Sequence, residues 1–125
     1  MSMWLVRGAG LATLCFAAYH AALPRLMNWH EDLESLYIAN RKVVRALNIG
    51  VTYLLVVMGL LSLLAAPDLL STALGRWVLW GLAGFWALRV GIQVVVFGYE
   101  WKPSYALTAA FVVMTVLYGA AVVSG

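Results

Sequence analysis

Four apolar stretches divide the chain, each separated from the next by a short run of polar or turn-forming residues. The first uncharged stretch is Gly8–Leu23, extended backwards by Met3, Trp4, Leu5 and Val6 across Arg7. The second is Ala46–Pro67, reached through Val43, Val44 and Arg45. The third runs from Trp77 to Tyr99 with a single charge, Arg89, inside it, and the fourth, Pro103–Gly125, has no charge at all. A membrane-spanning helix needs about 20 mainly apolar residues at a rise of about 1.5 Å each. Lipid offers no partner to open backbone groups, so these stretches must be helical. The pattern predicts spans at about residues 3–23, 43–66, 76–98 and 104–123.

Connections decide how such spans are arranged. Pro67 stops the second helix, and Ser71 or Thr72 can cap the next one, while Gly98 to Pro103 makes a tight turn. Short connections favour antiparallel neighbours. The expected fold is therefore all-α: a single domain, an integral membrane antiparallel four-helix bundle running up-down-up-down. The exception is the long connection from Pro24 to about Asn40. There Asp32 and Ser35, with the apolar Leu33, Leu36 and Tyr37, predict a short interfacial helix after the first span. Arg7 lies inside the first apolar run rather than ahead of it, which favours a retained helix over a cleaved signal peptide.

Composition agrees. The 125 residues are 65% apolar and 10% charged, where soluble domains average about 45–50% and about 25%. The net charge is +3, but no basic run is interleaved with polar residues, so nucleic acid is not an expected partner. A single cysteine, Cys15, excludes an intramolecular disulfide, a CxxC pair and a thiolate zinc site; it reads as a small core residue. The basic residues instead report orientation. Arg25, Arg41, Lys42, Arg45 and Lys102 fall on one side, Arg7 and Arg76 on the other. The positive-inside rule then puts the first and third loops in the cytoplasm and both termini outside it. Aromatic belts fit this register, with Trp4, Trp77, Trp80 and Tyr118 outside and Trp29, Tyr37, Tyr99, Trp101 and Tyr105 inside.

The polar residues within the spans are the candidate chemistry. Arg41, Arg45, Asn48 and Thr52 recur at i, i+4, i+7 and i+11, one narrow stripe that Gly59 continues. Trp86, Arg89 and Gln93 share one face of the third span. Arg89 stands about ten residues from the inner end, roughly 15 Å into the bilayer. An intramembrane arginine is a functional-site hypothesis by default. Levelling the inner ends of the spans brings His20, Asn48, Gln93 and the tip of Arg89 to one depth, with Glu31, Asp32 and Glu100 at the mouth. The expected site is a polar pocket open to the cytoplasm, with Arg89, Gln93, Asn48, Arg45, His20 and Trp86 as its ligand-binding candidates. Across the same helix, Ala83, Ala87 and Gly91 form a small-residue track for a neighbouring helix.

Each feature also has a plainer reading. Arg41 and Arg45 serve as headgroup anchors, Asn48 and Gln93 as interhelical hydrogen bonds, His20 as a packing histidine and Arg89 as a structural bridge. His20 and His30 do not read as a haem pair, because His30 lies in a loop. Glu31 and Asp32 beside His30 read as a solvated turn rather than a cation site. No Ser/His/Asp or Cys/His constellation, phosphate loop or intramembrane acid relay is present, so no catalytic residue, metal ligand or cofactor is assigned.

Pro24 with Trp29 and Leu33, Arg41, and Trp86-x-x-Arg89-x-x-x-Gln93 with Phe97 resemble a set of small four-span bacterial inner-membrane proteins without an assigned activity. That resemblance implies four spans and little else; the expected location is a bacterial inner membrane. Arg45-Ala46-Leu47-Asn48 and Arg89-Val90 also look similar to motifs of the MAPEG superfamily of membrane glutathione and eicosanoid enzymes. The match is incomplete: the Arg-to-Asn spacing is one short, Ile49 to Thr52 contain no Glu, Gln93 is not at the His position and Phe97 lacks a hydroxyl. The functional expectation is an accessory or lipid- or quinone-type ligand-binding membrane protein. Its partners would be membrane lipid and either further copies of itself or a larger membrane complex. A MAPEG-like enzyme and a small oligomeric anion channel or transporter are the alternatives.

Overall fold

The computed structural model describes residues 1–125 and contains helices and turns but no strand. Four helices are long: α1 (Ser2–Leu26), α3 (Ile38–Leu64), α5 (Ala73–Ile92) and α6 (Pro103–Ser124). The connection between α1 and α3 holds the four-residue α2 (Trp29–Asp32), followed by a 3-10 turn, Leu33–Ser35. A further short helix, α4 (Ala66–Ser71), joins α3 to α5. Helices α3, α5 (continued to Phe97) and α6 are long and apolar enough to cross a membrane. Helix α1 matches them in length but not in hydropathy, which Arg7, Tyr19 and His20 dilute.

Both termini lie at one end of the molecule. Ser2 Oγ is 2.9 Å from Ser124 Oγ, and Arg76 Nη2 donates to the Val122 carbonyl at 3.0 Å. At the same end Thr72 caps α5, its hydroxyl accepting from the Gly75 amide at 2.9 Å. The opposite end holds α2 and the Gly98–Lys102 turn.

Helix α1 is central: it packs on α3 along one side and on α6 along the other, while α5 packs on α6. Although α3 and α5 are joined by the short α4, they are not a packing pair. The lateral order is therefore α3–α1–α6–α5, an arc in place of the expected neighbour-to-neighbour bundle. The reason lies in two glycines. A Cβ on Gly10 would stand 2.8 Å from the Ser62 Cβ and 2.9 Å from the Gly59 carbonyl; one on Gly59 would meet Leu14 at 2.7 Å. Gly10, whose Cβ would run into the α3 backbone, lets α1 and α3 approach so closely; at Gly59 the nearest backbone atom, the Gly10 carbonyl, would stand 3.1 Å away, and the Leu14 tip could yield. With this pair formed, α1 takes the face of α3 that α5 would otherwise need.

Inward residues recur at spacings of three and four, as packed helices require. They include Val6, Ala9, Thr13 and Ala17 on α1, Leu79, Leu82 and Trp86 on α5, and Phe111, Met114 and Tyr118 on α6. Three expectations need correcting. Tyr118 is not in an interfacial belt but fully buried, its hydroxyl 2.7 Å from Ser62 Oγ and 3.4 Å from Thr13 Oγ1. Two short hydroxyl side chains from α1 and α3 give the phenol partners inside the core. Cys15 is exposed, because it belongs to the outward face of α1. Of the small-residue track only Ala83 is buried; Ala87 and Gly91 face outward, because α5 turns its other side to α6.

Two substitutions test this packing. Gly10→Ala is expected to destabilise the fold by about 1–3 kcal/mol, read as a lower Tm in detergent by circular dichroism. Gly8→Ala, whose Cβ would meet nothing within 4 Å, should leave Tm unchanged or raise it slightly through helix propensity. Equal effects from the two would show that the Gly10–Gly59 approach does not hold α1 on α3.

Candidate ligand-binding site

The α2-end half of the molecule begins with a backbone problem. Pro24 lies inside α1 and has no N–H to offer the carbonyl of His20, four residues earlier. The side chain of Asn48, on α3, supplies the donor: its Nδ2 reaches the His20 carbonyl at 2.9 Å. Its Oδ1 then faces His20 Nδ1 at 3.2 Å. Because the amide nitrogen is the group donating to the carbonyl, Oδ1 must accept, so this network assigns the proton to Nδ1. In the neutral ring Nε2 is left as an acceptor.

On α5 the i, i+3, i+7 spacing of Trp86, Arg89 and Gln93 puts all three on the side that meets α1 and α6. Three aromatic rings from different helices pack here. Phe16 lies 5.0 Å from Trp86 and 5.4 Å from Phe111, and Trp86 lies 5.7 Å from Phe111, centroid to centroid. Arg89 rests on this cluster, its Cζ 4.8 Å from the Phe111 centroid and 5.9 Å from that of Phe97. Such cation–π contact is worth about 0.5–2 kcal/mol, too little to compensate a cation removed from water. The guanidinium is half-buried and forms no hydrogen bond or salt bridge within the chain.

Two adjoining cavities meet at Arg89. One of about 420 Å³ extends toward the α2 end, past Tyr19 and Gln93 to Trp29 and Trp101. The other, about 260 Å³, lies deeper against Trp86, Val51, Leu55 and Phe85. Phe16, His20, Arg89, Phe97 and Phe111 line both. A hollow of about 500 Å³ at the opposite end, against Ala73, Arg76, Trp77 and Trp80, is larger. It is an open depression beside exposed tryptophans, with one charged group and no converging polar set.

Around the Arg89 cavities, two buried polar atoms have no partner: Trp86 Nε1 and Gln93 Oε1. Both residues are almost completely buried, at 2% and 0% exposure. Gln93 Nε2 donates to Ser104 Oγ at 2.7 Å, and that hydroxyl in turn donates to the Gly98 carbonyl at 2.5 Å. This chain of bonds leaves Oε1 as the free end of the amide. A π turn over Gln93–Phe97 makes the arrangement possible. It closes with the Gly98 amide on the Gln93 carbonyl at 3.0 Å, and Gly98 adopts φ +64°. A side chain would strain that conformation. The chain reversal after Gly98 delivers Ser104 beside Gln93.

Of the six candidate residues, four line the cavities: Arg89, Gln93, His20 and Trp86. Asn48 stands behind His20, its amide occupied. Arg45 lines neither cavity; it is exposed, against a separate hollow shared with Arg25, His30 and Asn48. Arg45 precedes Asn48 by three residues, enough to carry its longer side chain out to the surface end of the stripe. His20 and His30 line different hollows, and no group of three His, Cys, Asp or Glu side chains comes together. Sequence reasoning missed Phe16, Phe111 and Ser104. The two phenylalanines are indistinguishable from other apolar residues of a span. The Val94–Val96 run leading to Gly98 was the available signal for an irregular end to α5. Comparison with protein-family models, curated proteins and solved structures returns no match for this chain.

The Pro24–His20–Asn48 arrangement makes its own prediction. Asn48→Ala should lower stability by about 1–2 kcal/mol, since it removes two interhelical hydrogen bonds. Pro24→Ala, which restores an N–H for the His20 carbonyl, should recover part of that loss in the double variant. Additive effects in a double-mutant cycle on thermal unfolding would show that Asn48 is not compensating for Pro24.

Proposed function

We propose that this chain is a four-span membrane protein that binds a lipophilic small molecule, of lipid or quinone type, in the paired cavities around Arg89. The observation that supports the reading best is Arg89 itself. A guanidinium among aromatic rings, with no acid or carbonyl from its own chain, is costly to keep unless something else compensates it. The structural-bridge reading needs a hydrogen bond to a polar group on another helix, and Arg89 forms none, although His20 lines the same cavities. A ligand with an oxygen acceptor on an apolar body would use the guanidinium and the Trp86 N–H while filling space lined mainly by aromatic and aliphatic groups. In this reading α1 is the fourth span. Its outward stripe is Trp4, Gly8, Leu11, Cys15 and Ala18, with no charged group and only the Trp4 indole N–H and the cysteine thiol as polar ones, while Arg7 and His20 are half-buried against the protein.

The end bearing α2 carries Arg25, Arg41, Lys42, Arg45 and Lys102, against Arg7 and Arg76 at the other. The positive-inside rule then orients the pocket mouth to the cytoplasm of a bacterial inner membrane, with both termini outside. The alternatives draw less support. A MAPEG-like site would join Arg45 and Asn48 to Arg89, yet Arg45 lies at a different hollow. An anion path would need polar groups beyond Trp86, where the Phe16–Trp86–Phe111 cluster stands instead.

Two measurements test the proposal. Native mass spectrometry from nanodiscs, with an absorbance spectrum of the same sample, should find one small molecule retained per subunit and reveal the subunit number. Persistent absence of any adduct would remove the binding reading. For topology, Ser2→Cys and Glu34→Cys are made separately in a Cys15→Ala background and exposed to a membrane-impermeant maleimide on spheroplasts. Ser2→Cys should label directly and Glu34→Cys only after permeabilisation. Labelling of both from one side would mean that α1 does not cross.

A further inference from the structure

We infer that the occupant of this site is an acid: a carboxylate-headed lipophile whose single negative charge sits on Arg89. The inference rests on the binding proposed above and narrows it from any lipophile to one charge class. Every element around the guanidinium contributes neutral groups. Helix α1 brings Phe16 and His20, α3 brings Val51 and Leu55, α5 brings Trp86, the π turn after it brings Phe97, and α6 brings Phe111. No carboxylate is among them. Arginine stays charged at any working pH, so the chain's own groups leave one positive charge uncompensated in a largely apolar setting. A neutral carbonyl compound, such as a quinone, would offer dipoles and leave that charge in place. A monoanion cancels it, and the planar guanidinium fork matches a carboxylate with two parallel bonds.

Depth distinguishes between sources of such an anion. Arg89 lies two turns beyond the Phe97 end of α5, well below the level at which the phosphate of a bilayer phospholipid rests. A free acid with an apolar body can descend to it. The body has a place to lie, because α3 and α5 form opposite sides of the deeper chamber without packing on each other. One turn from Arg89 toward the mouth, the unpartnered Gln93 Oε1 favours an acid that also carries a hydroxyl or amide N–H near its head.

The test uses delipidated protein in detergent, titrated separately with hexadecanoate, hexadecanol and phosphatidylglycerol, at a pH where the acid is ionised and with adducts read by native mass spectrometry. Hexadecanoate should bind one per subunit with a Kd at least about tenfold below that of hexadecanol, the effect of a charge-assisted pair. Arg89→Gln should reduce hexadecanoate to the affinity of the alcohol while leaving alcohol binding unchanged, which also shows that the variant is folded. Arg89→Lys should retain part of the preference. Equal affinity for acid and alcohol in the unaltered protein would overturn the charge class but leave lipophile binding intact. Tighter binding of phosphatidylglycerol than of hexadecanoate would overturn the carboxylate in favour of a phosphodiester. Failure of all three to bind would overturn both readings.

Discussion

The α2-end half of this protein is organised around one carbonyl that its own helix cannot satisfy. Pro24 deprives the His20 carbonyl of a donor, and a carbonyl left unpaired away from water costs a few kcal/mol. Asn48 reaches across from α3 to fill the gap at 2.9 Å and takes the imidazole of His20 with its other atom. That double contact sets the rotation of α1 against α3 at the α2 end, as the Gly10–Gly59 approach does nearer the termini. It also turns the His20 ring so that it lines both cavities. A proline that would otherwise weaken a helix thus fixes a helix pair.

With α1 committed to α3, the remaining helices arrange themselves around what is left. Helix α6 occupies the other side of α1 through Phe111, Met114 and Tyr118, and α5 packs mainly on α6, touching α1 through Trp86 and Phe16. The buried Tyr118 hydroxyl joins α6 to Ser62 of α3 and Thr13 of α1, so the terminal end is closed by a satisfied polar cluster. The other end is not closed in this way. There the aromatic cluster, the π turn and the Gly98 reversal leave space, and three polar groups around it, Trp86, Arg89 and Gln93, are incompletely satisfied. Unpartnered buried polar atoms are not confined to that end, since Arg7 Nε lies among them near the termini, but only around Arg89 do two of them adjoin the paired cavities.

Much of this was legible in the chain as written. Apolar run lengths located the long helices to within a few residues, and charge bookkeeping grouped the two termini at one end. Periodicity put Trp86, Arg89 and Gln93 on one face, and simple depth counting brought His20 level with Asn48. These inferences work because lipid imposes length, helicity and depth on a single strand of chain, with no knowledge of its neighbours.

What the tertiary structure decided was which face meets which. Arg45 and Asn48 share a stripe, yet Asn48 turns to His20 while Arg45 lies at the surface. Tyr118 looked interfacial until Ser62 and Thr13 gave its hydroxyl a place inside. Ala87 and Gly91 offered a packing track that no helix of this chain uses. Phe16 and Phe111 became the floor beneath Arg89 only once α1 and α6 were side by side. In each case one-dimensional periodicity specifies the direction of a side chain from its own helix axis, but its surroundings depend on how closely two backbones approach. Here that approach was set by two glycines and by a carbonyl left without a donor.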